Sequence, residues 1–147
     1  MKLSKAALLL TLSLASFSAF AGPAADNLGT CMTDNTTGKE RKEMARWIFV
    51  AMSAHPELKD ISNVTPEVRD GASKNMAKLV TRLVTETCVT QARAAGAEGS
   101  NALVSAFGAL GKVAMQELMS DPGVNGATQD FLRFVDKQKF EAALRPH

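Results

Sequence analysis

Two histidines, two cysteines and a pair of methionines are the side chains here best suited to chemistry, and their spacing limits what they can do. His55 precedes Pro56, and His147 is the last residue. Nucleophilic catalysis needs a base beside an activated hydroxyl or thiol, yet neither histidine lies in a GxSxG or Cys-His signature. The plainer reading of His55 is a residue that closes a helix, its ring meeting the negative end of the dipole. Met115 and Met119 stand four residues apart, so they share one helix face. That pair could offer soft ligands to copper, but methionines at this spacing more often fill a core. There are no paired His/Cys ligands at zinc spacings and no Asp/Asn/Gly loop of the calcium type. No motif presents a phosphate loop. These patterns assign no catalytic residue, no metal and no cofactor.

The cysteines depend on the compartment, and the start of the chain addresses that. Met1-Lys2-Leu3-Ser4-Lys5 is a basic opening, and Ala6–Ala15 is an apolar stretch broken only by Thr11 and Ser13. Ala19-Phe20-Ala21 supplies an A-x-A cleavage site. This is the three-part pattern of a secretory signal peptide, too short for a bilayer span of about 20 apolar residues. Residues 1–21 are therefore expected to be removed after Ala21, leaving one exported domain over residues 22–147. No second long apolar run follows, so no membrane span is expected in the mature chain. Cys31 and Cys88 both lie in it, and two cysteines in an exported chain point to one disulfide. Closing so long a loop would contribute roughly 4 kcal/mol on the chain-entropy view. Two buried thiols or a redox couple are the rival readings, although CxxC spacing is absent.

Export also changes the charge argument. The whole chain has 17 basic and 15 acidic residues. Lys2 and Lys5 leave with the signal segment, so the remainder balances at 15 against 15. A neutral chain offers no general electrostatic case for nucleic acid. Locally, Lys74, Lys78 and Arg82 follow one another at i,i+4 and make the best candidate binding surface, one that would suit an acidic partner protein. The same ridge also suits a solvated face kept opposite a core stripe. Arg46, just before Trp47, is expected to pair with a carboxylate or stack on an aromatic ring.

Helical spacing recurs throughout the chain and strand signals are absent. A short first helix is expected over about 24–33. Thr37 and Glu40 have the capping-box spacing that starts a second helix. Trp47–Met52 is apolar around the whole circumference, which calls for enclosure by other helices, and Pro56 ends that element. Thr65-Pro66 opens a third helix, expected to run to Ala95 with a bend near Cys88 and Gly96 as its stop. A fourth covers 101–120, with Leu103, Phe107, Leu110, Ala114 and Leu118 on its buried side. Its alanines and glycines permit close backbone approach at some cost in helix propensity. After Asp121-Pro122-Gly123 comes a weaker helical region, one helix or two divided around Asp136.

Residues 38–58, GKERKEMARWIFVAMSAHPEL, carry a likeness when read with LGTCM upstream and LVTRLVTETC downstream. They resemble a group of small exported all-helical proteins of Gram-negative bacteria that share a Cys…GK[DE]R…ARWIF…HP…Cys arrangement over roughly residues 28–88. The resemblance implies a periplasmic location and pairing of Cys31 with Cys88, and it transfers no catalytic residue. The expected fold is a single all-α domain, an irregular bundle of five or six helices. Trp47, Ile48, Phe49 and Met52 are expected at its buried centre. The expected role is non-enzymatic binding of another protein, as inhibitor, immunity factor or accessory subunit. The alternative is carriage of a small apolar ligand between helices, drawn from the Met, Phe and small residues of the fourth helix.

Overall fold

The computed structural model describes residues 22–145. The expected signal segment and His147 lie outside them. All regular structure among the described residues is helical. Helix α1 spans Pro23–Asp34, α2 Gly38–Met52, α3 Pro56–Lys59 and α4 Pro66–Arg82. Helix α5 spans Val89–Glu98, α6 Ser100–Met119, α7 Pro122–Gln129 and α8 Lys137–Leu144. A single π turn, Leu83–Thr87, joins α4 to α5, and a 3-10 turn, Asp130–Phe134, follows α7. The five longer helices α1, α2, α4, α5 and α6 build the bundle.

Local chemistry explains most of the boundaries. The Thr37 hydroxyl accepts from the Glu40 amide at 3.2 Å, and the Thr37 amide donates to the Glu40 carboxylate at 2.9 Å. The expected capping box is thus complete. Thr65 caps α4 through its hydroxyl, which accepts from the Val68 amide at 3.4 Å, and Pro66 takes the first helical position. The long third helix does bend where expected. The Cys88 amide donates to the Leu83 carbonyl at 2.7 Å, five residues back. This wider turn breaks the α-helical ladder and lets α5 leave in a new direction. The stop is Gly99 rather than Gly96: Gly99 has φ +109°, a conformation that an L side chain rarely adopts. Asp136 divides the C-terminal region, its carboxylate accepting from the Lys139 amide at the start of α8.

Helix α6, rather than the Trp47–Met52 segment, holds the centre. It lies against α1, α2, α5 and α7, while α4 packs on α2. Along α6, Ala102, Ala106, Leu110 and Ala114 are buried, with Leu103, Phe107 and Leu118 half-buried against the same core. The small residues set the spacing. An added Cβ on Gly29 of α1 would lie 3.0 Å from the Ala109 Cβ of α6, so the two helices approach almost backbone to backbone. Leu28, Met32, Leu83 and Leu110 are fully enclosed. Burial of each such side chain stabilises the fold by about 1.5–3 kcal/mol.

The reading of α2 needs correction. Its core stripe is Met44, Ala45 and Ile48. Trp47 is half-buried, whereas Phe49 is 58% and Met52 56% exposed. Only part of this apolar run enters the core, because α4 and α6 are the helices that pack on α2 and they stop short of Phe49 and Met52. Phe49 and Met52, three residues apart in the last turn of α2, both border a hollow beside α3.

Candidate functional site

Cys31 of α1 and Cys88, just before α5, form a disulfide with their Cα atoms 6.0 Å apart. Cys88 is fully buried, whereas Cys31 opens on a groove between α1 and α5. The groove has a volume of about 730 Å³ and a mixed lining, in which Asn27, Asp34, Asn35, Gln91 and Glu98 stand beside Pro23, Ala24 and Ala94. Such a lining presents hydrogen-bonding groups rather than a reactive pair. Residues so far apart in the chain give no sequence signal of a shared groove.

The remaining sequence-derived candidates separate in space. His55 does not close α2. Its Nδ1 accepts from the Glu57 amide at 3.2 Å and caps the one-turn helix α3. An acceptor role there requires an unprotonated Nδ1, and it directs that nitrogen to the backbone rather than to a nucleophile. Arg46 is exposed and lies within 4 Å of no carboxylate among the described residues. The guanidinium that does stack is that of Arg133, 5.2 Å from the Phe134 ring centroid. Met115 and Met119 are 42% and 39% exposed, so they are not core filler. No group of three or more His, Cys, Asp or Glu side chains suited to a metal occurs among the described residues.

The basic ridge is only partly available. Lys74 and Lys78 are exposed on α4. Arg82 instead reaches across to α2 and donates to Glu40 at 2.7 Å, to the Asn35 carbonyl at 3.3 Å and to the Thr87 hydroxyl at 3.5 Å. A guanidinium held by three intrachain acceptors ties α4 to α2 and to the turn before it. Arg41 acts similarly: it donates to the Thr33 and Thr36 carbonyls, each at 3.2 Å. These contacts satisfy acceptors at the end of α1 and fix the turn into α2.

The feature that sequence reading missed lies on the outer side of α2. Phe49 and Met52 converge with Leu58 of α3 and Ile61 on an apolar hollow of about 220 Å³, floored by Ser53. Ile61 is 78% exposed. The buried Ser53 hydroxyl donates to the Val50 carbonyl at 2.7 Å, so the polar group in the floor is already satisfied. His55-Pro56 positions this hollow by starting α3 directly after α2. A circumferentially apolar run was its only signal, and that signal reads equally well as core. The hollow is too small for a typical ligand site of about 300–1,000 Å³ but suits an inserted side chain. The chain matches no protein-family model, no curated protein and no solved structure.

Proposed function

We propose that this is an exported, non-enzymatic protein of the bacterial periplasm that binds another protein through the apolar hollow between α2 and α3. The observation that carries this reading is the outward placement of Phe49, Met52 and Ile61, 56–78% exposed around one concavity. Large apolar side chains clustered round a hollow are what a partner's anchor residue needs. Met52 adds a flexible wall that can adapt to it. Residues from the ARWIF…HP part of the resemblance, Phe49 and His55-Pro56, build or position this place. An inhibitor, immunity factor or accessory subunit would all use such a surface. The single disulfide accords with an oxidising compartment, and no helix among the described residues is long and apolar enough to cross a membrane.

The carrier reading draws less support. It would use space beside the small residues of α6, and the groove that Gly29 and Ala109 line there also presents Asp26, Thr30, Lys112 and Gln116, a polar lining poorly suited to an apolar ligand.

Affinity capture from periplasmic extract tests the proposal. Tagged protein should retain a stoichiometric partner, and the combined change Phe49→Ser, Met52→Ser and Ile61→Ser should release it without altering the circular dichroism. Recovery of the same partner by this variant would reject the hollow as the docking site. An acidic partner using α4 as well would bind more weakly to Lys74→Glu/Lys78→Glu.

A further inference from the structure

Residues 122–144 leave the bundle at the end of α6 as an arm, and the arm is largely uncovered. No residue of α7, the 3-10 turn or α8 is buried. Phe131, Leu132, Phe134, Phe140 and Leu144 are each 51–80% exposed. Taking about 200 Å² for a large side chain, these five leave on the order of 600 Å² of apolar surface outside. That lies at the top of the range of about 300–600 Å² for the largest patch on a monomer. It approaches the roughly 800 Å² per partner of a specific interface. Helix α8 has only eight residues and packs extensively on no helix of the bundle. Helices shorter than about 12 residues are marginal in water by themselves, so α8 needs a surface to lie on.

The arm is shaped and charged to meet its own kind. Phe131, Leu132, Val135 and Phe140 line a hollow of about 380 Å³, with Lys137 and Glu141 among its lining residues. Phe134, 80% exposed, stands outside that hollow with Arg133 over its ring. A projecting ring and a receptive hollow on one patch satisfy the rule of a two-fold contact, in which each copy offers the same surface. Arg133, Lys137, Lys139 and Arg145 are nearly balanced by Asp130, Asp136 and Glu141. This mixture lacks the single-sign field that would favour a strongly charged partner or an anionic bilayer. Lys137 and Glu141 lie four residues apart on α8, so an antiparallel crossing of two α8 helices brings unlike charges together.

We propose that two copies of this chain pair through the 122–144 arm about a two-fold axis. Phe134 of each copy enters the hollow of the other, and Lys137 of each faces Glu141 of the other. The pair would cover on the order of 1,200 Å² of side-chain surface, the lower bound for a specific interface. This pairing does not depend on the α2–α3 hollow, which stays open for a different protein.

Sedimentation equilibrium of the exported, purified protein provides the test. Twice the chain mass is expected at tens of micromolar, and Phe134→Ser/Phe140→Ser should give a monomer with unchanged far-ultraviolet circular dichroism. Lys137→Glu alone and Glu141→Lys alone should each weaken pairing about tenfold or more, since like charges then meet. An equimolar mixture of those two variants should regain the pairing, because every junction again joins Glu to Lys. A wild-type monomer, a dimer indifferent to the serine changes, or a mixture no tighter than its components would overturn the proposal. Monomeric protein captured by phosphatidylglycerol vesicles through the same phenylalanines would also overturn it and assign the arm to a lipid surface.

Discussion

Arg82 Nη2 lies 2.7 Å from Glu40 Oε1, and this contact joins the last residue of α4 to the first turn of α2. The other oxygen of the same carboxylate accepts from the amide and hydroxyl of Thr37. One glutamate therefore both caps its own helix and holds a neighbouring one. Burial pushes the Glu40 carboxyl upward, but the Thr37 amide, the Arg82 guanidinium and the Thr37 hydroxyl together outweigh it. The net result is a carboxyl below its ordinary range.

A pH dependence of known sign follows. Because the folded-state value is depressed, the ionised group contributes stability above the unfolded value of about 4.3. That contribution is lost as pH falls through the folded value. Glu40→Gln keeps an acceptor at the capping-box position and removes the charge. It should cost about 1 kcal/mol at pH 7, a figure kept small because Arg82 is more than a third exposed and solvent screens the pair. Urea denaturation at pH 7 and pH 3 checks this. The gap between wild type and variant should narrow at the lower pH, and a constant gap would show that the charge does not matter.

The disulfide makes a second prediction. Its cysteines are 57 residues apart in sequence, so the cross-link restrains much of the unfolded chain. Cys31→Ala/Cys88→Ala should lose about 2–4 kcal/mol. The denaturant slope should also rise, because the unfolded state then exposes more surface. A lowered midpoint with no change in slope would place the effect in the folded state instead.

Adjacent residues on α2 separate the enclosed side from the open one. Val50 is 3% exposed and Phe49 58%. Val50→Ala should cost about 1.5 kcal/mol, near 0.8 kcal/mol for each lost carbon. Phe49→Ser should stay within about 0.5 kcal/mol of wild type, despite removing the larger side chain. Equilibrium unfolding of the two variants decides it. A large loss at Phe49 would return that ring to the core and remove the hollow from consideration.

Part of this architecture is legible in the sequence alone. Thr37 with Glu40 and Thr65 with Pro66 were legible, because each depends on a side chain meeting backbone within a few residues, whereas the sequence left one helix or two open around Asp136. The Cys31–Cys88 bond followed from there being two cysteines in a chain read as exported. Phe49 and Met52 were not legible as surface, since hydrophobic pattern reports that a side is apolar without saying what covers it. The link from Arg82 to Glu40 was not legible, because the two residues come from separate helices. The central place of α6 was hidden by its alanines, which register as weak hydrophobes until Gly29 of α1 is seen against them.

That contact between α1 and α6 sets the last prediction. An added Cβ at Gly29 would meet the Ala109 Cβ at 3.0 Å and the Ala106 backbone at 3.7 Å. Neither can retreat cheaply, because Ala106 and Leu110 of the same helix are enclosed at 1% and 0% exposure. Gly29→Val places a branched side chain in that gap and should cost about 1–3 kcal/mol by overpacking. In Gly29→Ala, the gain in helix propensity of about 1 kcal/mol is opposed by crowding. Removing the facing methyl should reveal the conflict. Ala109→Gly should destabilise the wild type yet be better tolerated in the Gly29→Ala background, a coupling that a double-mutant cycle measures. Strict additivity, together with a Gly29→Val protein that unfolds at the wild-type midpoint, would mean that α1 does not press against α6 at this point.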